Sequence, residues 1–289
     1  MQPSVISGHE IRFSYKTIAK KNKHSVINGI DVDIRQGEII ALAGKNGAGK
    51  TTLLQHMNGL LEADSGDVYV CGIAVSKDLR GDLWRKVSLS FQYPEMQIFE
   101  ANVHDEIAFG LHNLGLDKNE IETRIQEALT AVGLAPEITG SEEPLRLSGG
   151  MRRKLALASA LAMQPEVFLF DEPLAGLDLA GRRFFAEAVS TIKQQGKTII
   201  MIVHAMEDIC FLIDRFIVIS EGKKLADFYK NDFFEYIAVL DAAGVHVADS
   251  LRLQAQVHAS TNWPEQPFFV REDFEDSLRQ LFAEDFNAQ

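Results

Sequence analysis

Short apolar runs separated by polar turns fill the first ninety residues of this 289-residue chain. Residues 4–15 alternate loosely and end in Phe13-Ser14-Tyr15, the pattern of an edge strand. A polar basic loop over 16–24 follows, then an apolar-rich strand over 26–34 and a turn at Arg35-Gln36-Gly37. Residues 38–43 form a run of strand length, and 52–57 carry no breaker before Gly59, so they read as a helix. Residues 67–71 and 87–91 read as two further strands separated by polar turns.

The period changes after Gln92. Residues 103–111, 119–132 and 149–163 follow a helical spacing. Strand character returns at 167–170, 198–203 and 216–220, alternating with helical patterns at 182–194 and 206–213. Such alternation predicts a mostly parallel sheet with helices on its faces, interrupted by a helical block at about 94–163. Past residue 231 the pattern shifts once more. Phe233, Phe234, Ile237 and Leu240 share one helical stripe, as do Phe274, Leu278, Leu281 and Phe282. This tail reads as a separate C-terminal helical appendage.

Composition narrows the class only slightly. The chain is 46% hydrophobic and 24% charged, ordinary for a globular protein. Twenty-nine Lys and Arg against 41 Asp and Glu give a net charge of −12, which argues against a main task of gripping nucleic acid. Two cysteines, Cys71 and Cys210, have no CxxC or metal-ligand neighbours and read as small core residues in a reducing compartment. The N-terminal residues lack a basic start and an apolar stretch, so no signal peptide is expected. No apolar run approaches the ~20 residues needed to cross a bilayer. Membrane work would need other chains.

The chemistry is concentrated in GKNGAGKTT at 44–52, which satisfies GxxxxGK[ST] between a strand and a helix. Glycines let successive N–H groups of Gly44, Asn46, Gly47, Ala48 and Gly49 turn inward around a phosphate chain. The helix N-terminus behind the loop adds N–H donors from Lys50, Thr51 and Thr52 and a positive dipole end. Lys50 would reach the outer phosphates, and the Thr51 hydroxyl suits Mg²⁺. At 167–172, VFLFDE places two carboxylates at the end of a buried strand: Asp171 for a metal ion, Glu172 as base or orienter for an attacking water. At 147–150, LSGG precedes a helix carrying Arg152, Arg153 and Lys154. Ser148 is a natural N-cap, and two poor helix formers, Gly149 and Gly150, open the helix as an anion-binding end would.

These motifs, with Gln92 after a strand, AGLD at 175–178 and His204 after another strand, occur in the order of an ABC transporter ATPase subunit, and the chain resembles that family over residues 13–222. The resemblance implies an α/β fold. Its P-loop (RecA-like) core, over residues 1–228, would have an antiparallel β edge and an inserted helical subdomain, with a C-terminal helical extension over 229–289 as a candidate pairing element. It implies ATP and Mg²⁺ as cofactors. Tyr15 would stack on adenine, Gln92 would contact Mg²⁺ and the attacking water, His204 the γ-phosphate, and Asp178 the nucleotide interface. Ser148, Gly149 and Gly150 would bind the γ-phosphate held by a second, identical or paralogous ATPase subunit.

A finer likeness lies in FQYPEMQIF at 91–99 and VHDEIAFG at 103–110, which resemble the ATPases of energy-coupling factor transporters, importers of vitamins or transition-metal ions. That implies a peripheral protein on the cytoplasmic face of the cell membrane. Residues 94–99 would dock a transmembrane coupling subunit, and a substrate-binding membrane subunit would be engaged indirectly. Two positions depart from the family: Met151 where Gln is usual and Leu174 where Thr is usual. A conventional ABC transporter ATPase is the alternative, and a soluble ABC protein acting on nucleic acid or the ribosome a more distant one.

Overall fold

The strands of the core are apolar on both faces because both faces are covered. The computed structural model describes residues 3–15, 24–134, 138, 140–204, 209–261, 267–269 and 273. In chain order the regular elements are β1 (Ser4–Tyr15), β2 (His24–Arg35), β3 (Ile39–Ala43), α1 (Lys50–Met57), β4 (Ser65–Val70), β5 (Ile73–Ala74) and α2 (Arg80–Trp84). Then come β6 (Val87–Ser90), α3 (Val103–Asn113), α4 (Lys118–Ala131), α5 (Gly149–Ala162), β7 (Val167–Phe170) and α6 (Leu179–Gln194). The chain continues through β8 (Thr198–Ile202), β9 (Arg215–Ser220), β10 (Lys223–Tyr229), α7 (Ile237–Ala242) and α8 (Asp249–Thr261).

A six-stranded sheet runs β10-β9-β3-β8-β7-β6, with β9, β3, β8, β7 and β6 parallel and β10 antiparallel at the edge. A second, antiparallel sheet runs β2-β1-β4-β5. The two-residue period of a strand divides the core cleanly. Ile40, Leu42, Leu169, Ile200, Ile202, Ile217 and Ile219 pack with Ile6, Ile11, Ile27 and Ile34 of the antiparallel sheet and with Leu53 and Leu54 of α1. Ile39, Ala41, Phe168, Phe170, Ile199, Met201 and Phe216 face the other way, onto α3–α6 and the C-terminal segment. Parallel strands buried on both faces lose polar alternation, which is why they read as continuous apolar runs.

Several expectations are corrected. β1 is interior rather than an edge strand, because β4 pairs with its far side at Ile6↔Val70 and Gly8↔Val68. The short alternation of SGDVYV buries Val68 and Val70 while Tyr69 faces out, so β4 needs a partner to cover one side. The stretch between Cys71 and β6 is not only turns: it holds β5 and α2, whose Leu83 is buried. Of the helix expected at 206–213, residues 206–208 lie outside the described residues and Cys210–Leu212 is a single 3₁₀ turn. Most of the basic loop, 16–23, and the stripe of Phe274, Leu278, Leu281 and Phe282 also lie outside the described residues.

The C-terminal segment is continuous with the cassette in packing. Phe233 is fully buried and contacts Phe216 of β9 edge-on, and Leu240 and Leu251 join the same apolar cluster. Cys210 belongs to that cluster too, and no disulfide joins it to Cys71. Burial pushes the Cys71 thiol up to about 12, helped by the Glu166 carboxylate.

Candidate nucleotide site

Four parallel strands deliver the site. The loop after β3, Gln92 after β6, Asp171 and Glu172 after β7, and His204 after β8 all stand at carboxyl ends of neighbouring strands, where open α/β sheets place their ligands. Gly44 leaves β3 at φ 144, and a Cβ there would lie 2.1 Å from the Ile219 carbonyl oxygen. Only glycine lets the loop start so close to β9. Gly49 caps α1 at φ 106. Asn46 and Gly47 are exposed, whereas Ala48 and Thr52 are buried behind the loop.

Lys50 is buried inside its own loop, its ammonium donating to the Gly44 carbonyl at 2.7 Å and the Lys45 carbonyl at 3.0 Å. Burial lowers its pKa, while the negative charges of Glu172 and Asp171 pull the other way. The Thr51 hydroxyl donates to Asp171 Oδ1 at 3.3 Å. Burial raises the Asp171 pKa; the Thr51 hydrogen bond opposes this and the Glu172 charge adds to it. A hydroxyl and a buried carboxylate facing each other are hard oxygen donors. They fit Mg²⁺, which keeps water and phosphate for its other positions.

Glu172 sits at φ 51, a left-handed conformation that disfavours any residue with a Cβ. The bend turns its carboxylate to two neighbours. Gln92 Nε2 donates to Glu172 Oε2 at 2.9 Å, leaving the Gln92 carbonyl oxygen free for other work. His204 Nε2 lies 2.6 Å from Glu172 Oε1, close but out of line for a hydrogen bond. Gln92, Glu172 and His204 therefore form one group beside Lys50, Thr51 and Asp171. Tyr15 is half exposed, its ring edge-on to Phe13 and its hydroxyl 3.4 Å from Thr52 Oγ1.

The remaining candidates stand apart. Ser148 caps α5, accepting from the Met151 N–H at 3.2 Å, and Gly149 and Gly150 are exposed with nothing within 4 Å of where a Cβ would be. Among the described residues none of these three bonds to the phosphate loop at 44–52, the Walker A loop. Asp178 caps α6 through the Gly181 N–H at 2.8 Å. Met151 and Leu174 both rest on the main apolar cluster, so their side chains serve packing in this chain.

Three contacts escaped the sequence. The Lys45 N–H donates to the Ala243 carbonyl at 3.0 Å, so the turn ending α7 props the phosphate loop from outside. Glu106, nearly buried, accepts from the Phe99 and Glu100 N–H groups at 3.1 and 3.0 Å. Glu95 turns inward to Arg153 of α5, 3.2 Å away, rather than outward to solvent. Only the acidic residue in an otherwise apolar stripe of α3 hinted at the second of these. The first and third depend on tertiary proximity.

The ABC transporter family model matches residues 27–175. The chain is 39% identical over 224 residues to the energy-coupling factor transporter ATP-binding protein EcfA2 of Clostridium perfringens, covering 76% of this chain and 79% of that one. It is 35% identical over 260 residues to EcfA2 of Bacillus subtilis, covering 88% and 94%. Among solved structures, cbiO1 from Clostridium perfringens, described as part of the ABC transporter complex cbiONQ, superposes with a TM-score of 0.72 at 27% identity. That match covers 89% of this chain and 99% of the other. Among the described residues no helix is long and apolar enough to cross a membrane. The chain belongs to the ABC transporter family and, within it, to the ATP-binding proteins of energy-coupling factor transporters, the subunits that hydrolyse ATP for these importers.

Proposed function

We propose that the chain hydrolyses Mg²⁺-ATP in a site completed by the LSGG face of a second ATPase subunit. The resulting movement passes through residues 94–99 to a membrane subunit that imports a vitamin or transition-metal ion. The reading rests on one contrast of geometry. Lys50, Thr51, Asp171, Gln92, Glu172 and His204 converge within one chain, while nothing among the described residues lies within 4 Å of where a Cβ on Gly149 or Gly150 would stand.

An arriving β/γ-phosphate replaces the Gly44 and Lys45 carbonyls as the partner of the Lys50 ammonium, and the loop N–H groups take the remaining phosphate oxygens. Thr51 and Asp171 would hold Mg²⁺, which supplies screening of the phosphate charge when bound. Glu172 accepts the proton of a water whose oxygen attacks the γ-phosphorus as the bond to the β-γ bridging oxygen breaks. Gln92 holds the Glu172 carboxylate through its side-chain amide, its carbonyl would serve the water and Mg²⁺, and His204 would contact the γ-phosphate. Tyr15 offers the adenine a half-exposed ring. From the second subunit, the Ser148 hydroxyl and the N–H groups of Gly149 and Gly150 close on the γ-phosphate, and Asp178 shapes the facing loop. Membrane docking places the chain on the cytoplasmic face of the cell membrane.

Docking is supported by surface chemistry. Phe99 is 63% exposed and stacks edge-on against the exposed Phe109 at 4.9 Å, with Gln97 exposed beside it. An apolar pair held open by Glu106 suits a groove for a partner helix. Glu172→Gln tests the chemistry: ATP affinity stays within about twofold, while hydrolysis falls by ~10²-fold or more on loss of the general base. Turnover at the wild-type rate would remove Glu172 from the mechanism.

A further inference from the structure

We infer that Arg153 is a positioning residue that ties the docking segment to the two loops facing the second subunit, so that the three move as one body. Its guanidinium binds on both sides. Nε and Nη2 approach the two carboxylate oxygens of Glu95 at 3.2 and 3.5 Å, and Nη1 donates to the Ala175 carbonyl at 3.1 Å. Glu95 belongs to the 3₁₀ turn Pro94–Gln97 within the docking segment. Ala175 begins the AGLD stretch that follows VFLFDE at 167–172. Arg153 itself stands on α5, three residues after Gly150 and so on the same helix face. One side chain therefore joins three separate pieces of chain.

The geometry is that of a fitted joint rather than a passing surface pair. Both side chains are 19% exposed, well below the exposure at which ion pairs contribute little. Nη2 lies 3.5 Å from where a Cβ on Gly176 would stand, and Gly176 holds φ 67, so this glycine lets the loop bend against the guanidinium. A planar fork spans a carboxylate and a carbonyl together; an ammonium on a flexible stem does not. Glu95, spent on this joint, leaves Gln97 and Phe99 as the outward docking contacts. The inference rests on the reading that residues 94–99 dock a membrane subunit.

The test compares the isolated subunit with the assembled transporter, using Arg153→Ala, Arg153→Lys and the exchanged pair Glu95→Arg/Arg153→Glu. ATP affinity of the isolated subunit and co-purification with the membrane subunits are expected to match wild type. The factor by which assembly changes the hydrolysis rate is expected to fall about fivefold or more toward unity in both single variants. The exchanged pair recovers part of it. An unaltered factor in Arg153→Ala overturns the inference. So does a wild-type factor of one, or a loss of melting temperature and ATP affinity together, which marks an ordinary structural bridge. Phe99→Ala serves as the separate arm: wild-type assembly and hydrolysis there would remove the docking reading instead.

Discussion

The two glycine-rich stretches of this chain, both assigned to phosphate in the proposed mechanism, are built in opposite ways. The loop at 44–52 is enclosed: Gly44 is pressed against β9, Lys50 is buried and bonded, and the Ala243 carbonyl props Lys45 from behind. The stretch at 148–150 is exposed, and Cβ atoms on Gly149 and Gly150 would meet nothing within 4 Å. One is organised before any ligand arrives, and the other lies open, as a face proposed to meet a second subunit would. On the proposed mechanism, a preorganised half would keep nucleotide binding available to the lone subunit, and an open half would defer hydrolysis until a partner arrives.

The largest expected break falls on the enclosed half. Lys50→Ala removes the ammonium inside the loop and is expected to weaken ATP binding by roughly tenfold or more, since a hydrogen bond to a charged group contributes about 1.5–3 kcal/mol. Calorimetry on the isolated chain reads this directly, and unchanged affinity would contradict the role of Lys50. A smaller effect should come from outside the loop. Gly244 holds φ 69, and a Cβ there would lie 3.3 Å from Lys45 Cβ. Gly244→Ala is expected to cost about 1 kcal/mol of turn strain and to loosen ATP affinity by up to about fivefold. Lower melting temperature with unaltered affinity would show that the prop is structural only.

The smallest effect concerns the helical block that carries the open half. His104 on α3 bonds Glu122 of α4 at 3.0 Å and Asp105 at 3.1 Å. Burial lowers its pKa, but these two carboxylates together outweigh it, so the net shift is upward. A raised folded pKa means stability that is complete below the ordinary histidine value of ~6.5 and lost as pH rises through the folded value. Urea midpoints against pH should show that decline in wild type and a flatter line in His104→Gln, with ATP affinity unaffected in both. Parallel lines would exclude His104.

The enclosed half was legible in the sequence because its requirements are local. Strand, glycine loop, lysine and helix follow one another within the nineteen positions 39–57, and each obeys its own backbone rule. Gly149 and Gly150 were legible for a related reason: two poor helix formers at a helix start demand an explanation. What escaped were contacts across the fold that no motif carries. Nothing near Ala243 announces that its carbonyl meets Lys45, and Glu95 reads as one residue of the docking stretch until Arg153 is placed beside it. β1 was misplaced at an edge because pairing with β4 depends on register across a long connection, not on β1's own pattern. Asp178 illustrates a shared role, since a single carboxylate caps α6 at a position the family resemblance gives to the nucleotide interface.

The contrast between the halves is tested most directly by Ser148→Arg, measured twice on the same preparation: ATP affinity of the isolated chain, then ATP hydrolysis in the assembled transporter. A long cation on the exposed cap should leave affinity within about twofold of wild type, because none of the described contacts of the Walker A loop reaches Ser148. Hydrolysis in the assembly should fall by half or more, since a partner's site loses its closing face. Weakened ATP binding by the isolated variant, or full hydrolysis in the assembly, would contradict an active site divided between two chains.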